Sequence, residues 1–174
     1  MLGIWGRQTW WWSGGSRKLR VRDSKLRAHS RQLLRGLTPC LPLSVTALCE
    51  ELGGVLGRPI TLMEWELPAD GPFGVLISRD DEDVIVYQAT TTKAHQAHIV
   101  LHEVGHLIAF AFDGRRPSGE HSCYSDEDER DAEVIASTIM DQAISMRRRV
   151  RTHKLDDPFQ HSVYNSLVLT SEAA

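Results

Sequence analysis

Residues 99–108 read Ile-Val-Leu-His-Glu-Val-Gly-His-Leu-Ile. His102, Glu103 and His106 interrupt an otherwise apolar run. Such a run belongs in a core, and buried titratable groups are costly there unless they are hydrogen-bonded, paired or bound to a metal. The apolar spacing, the caps offered by Thr90, Thr91 and Thr92, and the stop at Asp113-Gly114 predict a helix over about 93–112. Positions four apart share a helix face, so both imidazoles can reach one ion. Neutral imidazole is a good zinc ligand. Glu103 follows the first histidine, so its carboxylate points beside the ion rather than at it, where it can take a proton from a water that the ion acidifies. Gly105 leaves that helix surface open to close packing.

The chain before this helix predicts strands. Residues 59–66 alternate, with Ile60, Leu62, Glu64 and Glu66 on one face and Thr61, Met63 and Trp65 on the other. Residues 73–79 and 83–89 are short and β-branched. Turn residues at 68–72 and 79–83 separate the three runs, and spacing this short suggests an antiparallel meander. Helices are expected at 24–36 and 45–56, the latter capped by Ser44. A second long helix is expected over about 126–149, with Ala132, Ile135, Ala136, Ile139, Met140, Ala143 and Ile144 at helical spacing and Arg147, Arg148 and Arg149 at its end. The fold class is α+β: a short antiparallel sheet packed on the histidine-bearing helix and a second long helix.

Two histidines do not complete a catalytic zinc site, which usually has three protein ligands and a water. The third ligand must come from farther along, because no histidine follows in the same helix. Glu129 and Glu133 are four apart on one face of the second long helix, beside the small residues Ala132 and Ala136. One would bind the ion. The other would orient a ligand histidine.

The segments His-Glu-Val-Gly-His-Leu at 102–107 and Glu-Arg-Asp-Ala-Glu-Val-Ile-Ala-Ser at 129–137 together resemble the zinc peptidases with a glutamate third ligand, the gluzincins. Within these the chain is most similar to the ImmA/IrrE group, over residues 43–146. The resemblance implies a zincin-like domain with zinc on His102, His106 and the first glutamate of the second motif, Glu129, and with Glu103 as the catalytic base. The group often carries Asn where this chain has Glu133. That departure leaves Glu129 and Glu133 both open as third ligand, with Asp131 a lesser alternative. The resemblance further implies a metallopeptidase that acts on a protein partner, a helix-turn-helix transcriptional repressor, and that can belong to a phage-type or toxin–antitoxin locus. The competing reading is a metal-containing regulatory module that docks on its partner with little turnover.

Bulk properties agree with a globular domain. The chain has 174 residues, 41% hydrophobic and 25% charged, with net charge −3. Nothing in that balance calls for direct nucleic-acid binding or a membrane, and no run reaches the ~20 apolar residues of a spanning helix. Three cysteines (Cys40, Cys49, Cys123) at irregular spacing are no disulfide framework, which suits the cytoplasm. The expected organisation is a basic, Trp-rich and disordered leader at 1–23, a catalytic domain at 24–150 and a C-terminal tail at 151–174. Residues 1–35 hold nine Arg or Lys and one acid, and residues 120–133 hold seven acids and one Arg. The basic stretch reads as a solvated arm. His121, Cys123 and Tyr124, in the loop between the metal helices, are candidates to stabilise an oxyanion. His95 and His98 read as helix-surface or core histidines.

Overall fold

The computed structural model describes residues 17–37, 44–116, 119–121 and 124–155. Leu26, Leu33 and Leu34 give helix α1 its apolar face. The helix begins at Arg17, earlier than the expected 24, and ends at Gly36. Helix α2 spans Val45–Leu56; Ser44 Oγ accepts the Ala47 N–H, and Gly57 closes the helix in the left-handed region (φ 72°). Strands β1 (Ile60–Trp65), β2 (Gly74–Ser78) and β3 (Asp83–Gln88) follow. Helix α3 covers Lys93–Phe112, and a short strand β4 covers Gly119–His121, where only a loop is expected from the sequence. Helix α4 runs over Asp126–Leu155 and continues past the arginines expected to end it. The Trp cluster, Cys40, Cys123 and residues 156–174 lie outside the described residues. Among the described residues, no helix is long and apolar enough to cross a membrane.

The fold is α+β, but the sheet is mixed. Its order is β1-β3-β2-β4. β2 and β3 form the expected antiparallel hairpin, and β4 adds antiparallel to β2. β1 skips β2 and lies parallel to β3, with Ile60 beside Asp83 and Trp65 beside Gln88. The meander expected from turn spacing is thus corrected, and the cause is a buried ion pair. Arg58, just before β1, donates from Nε and Nη2 to the two oxygens of Asp83, each at 3.1 Å, at the start of β3. The same guanidinium binds the carbonyls of Arg79, Asp80 and Glu82 in the β2–β3 turn. Asp83 is 2% exposed, so losing this fork would strand a charge in the core. Both strands therefore start at the same end of the sheet and run the same way. At their other end the Gln88 amide bonds both Leu67 N–H and Leu67 C=O.

One sheet face carries Ile60, Leu62, Leu76 and Ile85 against α2 and α3, and α4 covers α3 with Val134, Ile135, Ala136 and Ile139. Fully burying each Leu, Ile or Val stabilises the fold by about 1.5–3 kcal/mol. α3 is thus enclosed by sheet and helix, which is why Val104, His106 and Ile108 are all almost inaccessible.

α1 packs on α4 through Leu26 and a set of ion pairs. Arg22 Nε donates to Asp131 Oδ2 at 2.6 Å, and its Nη2 binds Asp113 at 2.8 Å. Arg130 binds Asp23 at 2.7 Å, and Arg27 donates to Thr138 Oγ1 at 3.3 Å. Part of the basic stretch read as a solvated arm is therefore structural, and it neutralises part of the acidic stretch. The Asp131 side chain is 2% exposed and that of Arg22 25%. Burial holds the Asp131 carboxyl above its ordinary range even with Arg22 bound. Removing one partner of such a pair costs more than removing both. Arg22→Met is expected to destabilise the protein by about 3 kcal/mol in urea unfolding, and Arg22→Met/Asp131→Asn is expected to recover most of the loss.

Candidate metal centre

Thr92 caps α3 by accepting the His95 N–H at 3.2 Å, and His102 and His106 follow on one face of the helix. α4 crosses α3 where neither helix has side-chain bulk. A Cβ on Gly105 would lie 2.5 Å from the Ala132 carbonyl oxygen and 2.9 Å from its Cα. The bare glycine lets the backbones touch, and Glu129, almost one turn before Ala132, arrives over the histidines.

Three donor atoms converge there. His102 Nε2 lies 3.2 Å from His106 Nε2 and 3.1 Å from Glu129 Oε2, and Glu129 Oε1 lies 3.8 Å from His106 Nε2. Tetrahedral zinc with ligand bonds near 2.0–2.1 Å needs donors about 3.4 Å apart. The set His102, His106 and Glu129 fits that ion in chemistry and in spacing. Glu133 is elsewhere: its Oε2 is 3.7 Å from His102 Nδ1 and 4.0 Å from His98 Nε2, and its Oε1 accepts from Ser137 Oγ at 3.1 Å. It meets the back of a candidate ligand, where a carboxylate fixes the ring and its tautomer. Asp131 points away to Arg22 and is no ligand candidate.

The electrostatics follow from this packing. Burial disfavours charge on His102, but the Glu129 carboxylate that accepts from Nε2 and the Glu133 carboxylate near Nδ1, with the charge of Glu103, outweigh it and lift the ring to about 9. Glu129 and Glu133 are both lowered, first by their contact with His102. Glu103 is 5% exposed, and burial raises its carboxyl to about 7. Its Oε2 is buried and has no hydrogen-bond partner among the described residues. A buried polar atom normally has a hydrogen-bond partner.

Gly74, at the start of β2, makes room for Glu103: a Cβ there would sit 2.7 Å from Glu103 Oε1 and 2.6 Å from Ile99 Cγ2. Gly74 is not among the residues expected from sequence, although a glycine opening a β-branched run is a known signal of close approach. Tyr124 stacks face to face on His106, with ring centroids 3.6 Å apart and planes 14° apart. Burial, with the charges of Glu103, Glu129 and Asp128, keeps its hydroxyl protonated well above the ordinary phenol range. No sequence spacing announces that stack, which depends on a loop and a helix meeting in space. His95 bonds Thr91 Oγ1 at 2.9 Å and leans on Phe73, away from the three donors. The side chains of His121 and Cys123 lie outside the described residues.

No family model matches the chain, and no curated protein matches it significantly.

Gly105→Ala is expected to cost about 1–3 kcal/mol by overpacking and to weaken zinc binding with it. Gly54→Ala, on an open helix surface with nothing within 4 Å, is the control and is expected to be neutral or stabilising. Measured by competition with a chelating dye, Glu133→Gln is expected to weaken zinc about 10–100-fold and Glu129→Gln more than that. The reverse order would make Glu133 the ligand.

Proposed function

We propose that the chain is a zinc-dependent hydrolase, a metallopeptidase of the ImmA/IrrE type that acts on a protein partner in the cytoplasm. The observation that carries the reading is the placement of Glu103. Its buried carboxylate, with Oε2 unpartnered, lies on the helix between two histidines whose Nε2 atoms converge with Glu129. A structural histidine pair needs no such acid beside it.

His102, His106 and Glu129 would hold the ion. Bound zinc supplies Lewis-acid polarisation of a carbonyl and of water. Glu103 accepts a proton from the attacking water and returns it to the leaving amine. Gly74 leaves space for the Glu103 carboxylate beside β2, and the Glu133 carboxylate, 3.7 Å from His102 Nδ1, favours a proton on that nitrogen and so leaves Nε2 for the ion. The resemblance of the two motifs to the ImmA/IrrE group implies a transcriptional repressor as the partner.

Glu103→Gln preserves shape but cannot accept the proton. Elemental analysis is expected to find zinc retained, while hydrolysis of a co-expressed candidate repressor falls by about 10²–10⁴-fold. Equal cleavage by both forms would remove Glu103 as the base. Relief of repression by both forms with no fragments would make the protein a docking regulator instead.

A further inference from the structure

We infer that Tyr124 is a positioning residue of the metal centre: its ring sets the plane of the His106 imidazole and ties the start of α4 to α3, so that one side chain aligns two ligands on different helices. The inference rests on the metal-site reading above.

His106 is wholly buried, yet its hydrogen-bonding geometry depends on one soft torsion. Rotation of an imidazole about its bond to Cβ is broad rather than confined to narrow staggered wells. Turning the ring by a few tens of degrees would swing Nε2 off the point where His102 and Glu129 meet. The neighbours of the ring therefore decide whether the donor set is preformed. His102 meets it edge-on at 4.9 Å, and Phe110 lies at 6.2 Å and 29°. Tyr124 is in full face contact, at 3.6 Å and nearly parallel. Of these three ring contacts, only a stacked plane at that distance resists rotation in both senses.

Tyr124 also stands where α4 begins. Ser125, the next residue, caps the helix: its Oγ accepts the Asp128 N–H at 3.2 Å and its carbonyl accepts the Glu129 N–H at 3.0 Å. Asp128 is in turn gripped by Arg115, at 2.7 Å, whose guanidinium lies over the Phe110 ring at 4.7 Å. The turn that delivers Glu129 is thus anchored through Tyr124 and Arg115 to the end of α3 that carries His106 and Phe110. Displacing the Tyr124 ring would loosen both the plane of one ligand and the position of another.

The experiment measures zinc affinity by chelator competition, and the visible spectrum of the cobalt(II) form, for the full-length wild type, Tyr124→Phe and Tyr124→Leu. Tyr124→Phe keeps the stack and is expected to keep wild-type affinity and the wild-type cobalt spectrum. Tyr124→Leu keeps apolar volume but loses the plane; it is expected to bind zinc about 10–100-fold more weakly and to show an altered cobalt spectrum. Thermal melting of the metal-free forms separates loss of fold from loss of site. Wild-type affinity in a folded Tyr124→Leu overturns the inference, as does a Tyr124→Phe as weak as the leucine variant. If Tyr124→Leu does not fold, the phenylalanine variant alone decides, because weak zinc binding in a folded Tyr124→Phe refutes the role of the ring. A wild type that binds neither zinc nor cobalt removes the metal-site reading itself, an outcome distinct from the others.

Discussion

The contact between Gly105 and the backbone of Ala132 is the constraint on which the site depends. Each of the two helices alone carries an incomplete set of donors: two imidazoles on α3, carboxylates on α4. Only where the helices cross without side chains between them do the three atoms come within 4.8 Å of one another. Interiors are packed as densely as organic crystals, so a methyl group at that crossing cannot be absorbed by slack. The same closeness encloses His106.

Around this crossing, charge is distributed so that the acidic start of α4 can exist at all. Asp126, Glu127, Asp128 and Glu129 occupy its first turn, and Asp131 and Glu133 follow. The helix dipole favours acids at an N-terminus, but six carboxylates so close together repel one another. Arg22 takes Asp131 and Asp113, and Arg115 takes Asp128 and Asp113. Among the described residues Glu129 and Glu133 have no Arg or Lys partner, and they face the histidines. The ionic network thus draws Asp128 and Asp131 into holding α1 and the end of α3 to α4, while Glu129 and Glu133 lie at the site.

The support around the three candidate ligands is as definite as the ligands themselves. Glu133 lies behind His102, Tyr124 lies on the face of His106, and Gly74 stands opposite Glu103. Each removes one way in which a side chain of the site could turn aside. Pre-organisation of this kind is what a metal centre requires of its surroundings.

Much of this was legible in the residues. His102, Glu103 and His106 at helical spacing within an apolar run, and Glu129 and Glu133 on one face of a later helix, are local patterns, and local patterns survive in sequence because helix geometry alone decides who shares a face. The β2–β3 hairpin and the bounds of α2 and α3 were legible for the same reason. Spacing alone left Glu129 and Glu133 both open, and only the resemblance of the second motif favoured Glu129, the residue that joins the converging set. Which glutamate joins depends on the height at which α4 crosses α3, set by Gly105 meeting Ala132 rather than by the spacing of the glutamates. The parallel pairing of β1 with β3 was hidden too, because turn spacing says nothing of Arg58 reaching across to a buried Asp83. The short strand β4, the tie between Arg22 and Asp131 and the stack of Tyr124 on His106 likewise join residues far apart in the chain. Sequence by itself determined the elements and the chemistry available on each face, since these follow from periodicity and side-chain type. Tertiary structure decided which faces meet and at what distance, since close packing and the need to pair buried charge act only between segments already brought together.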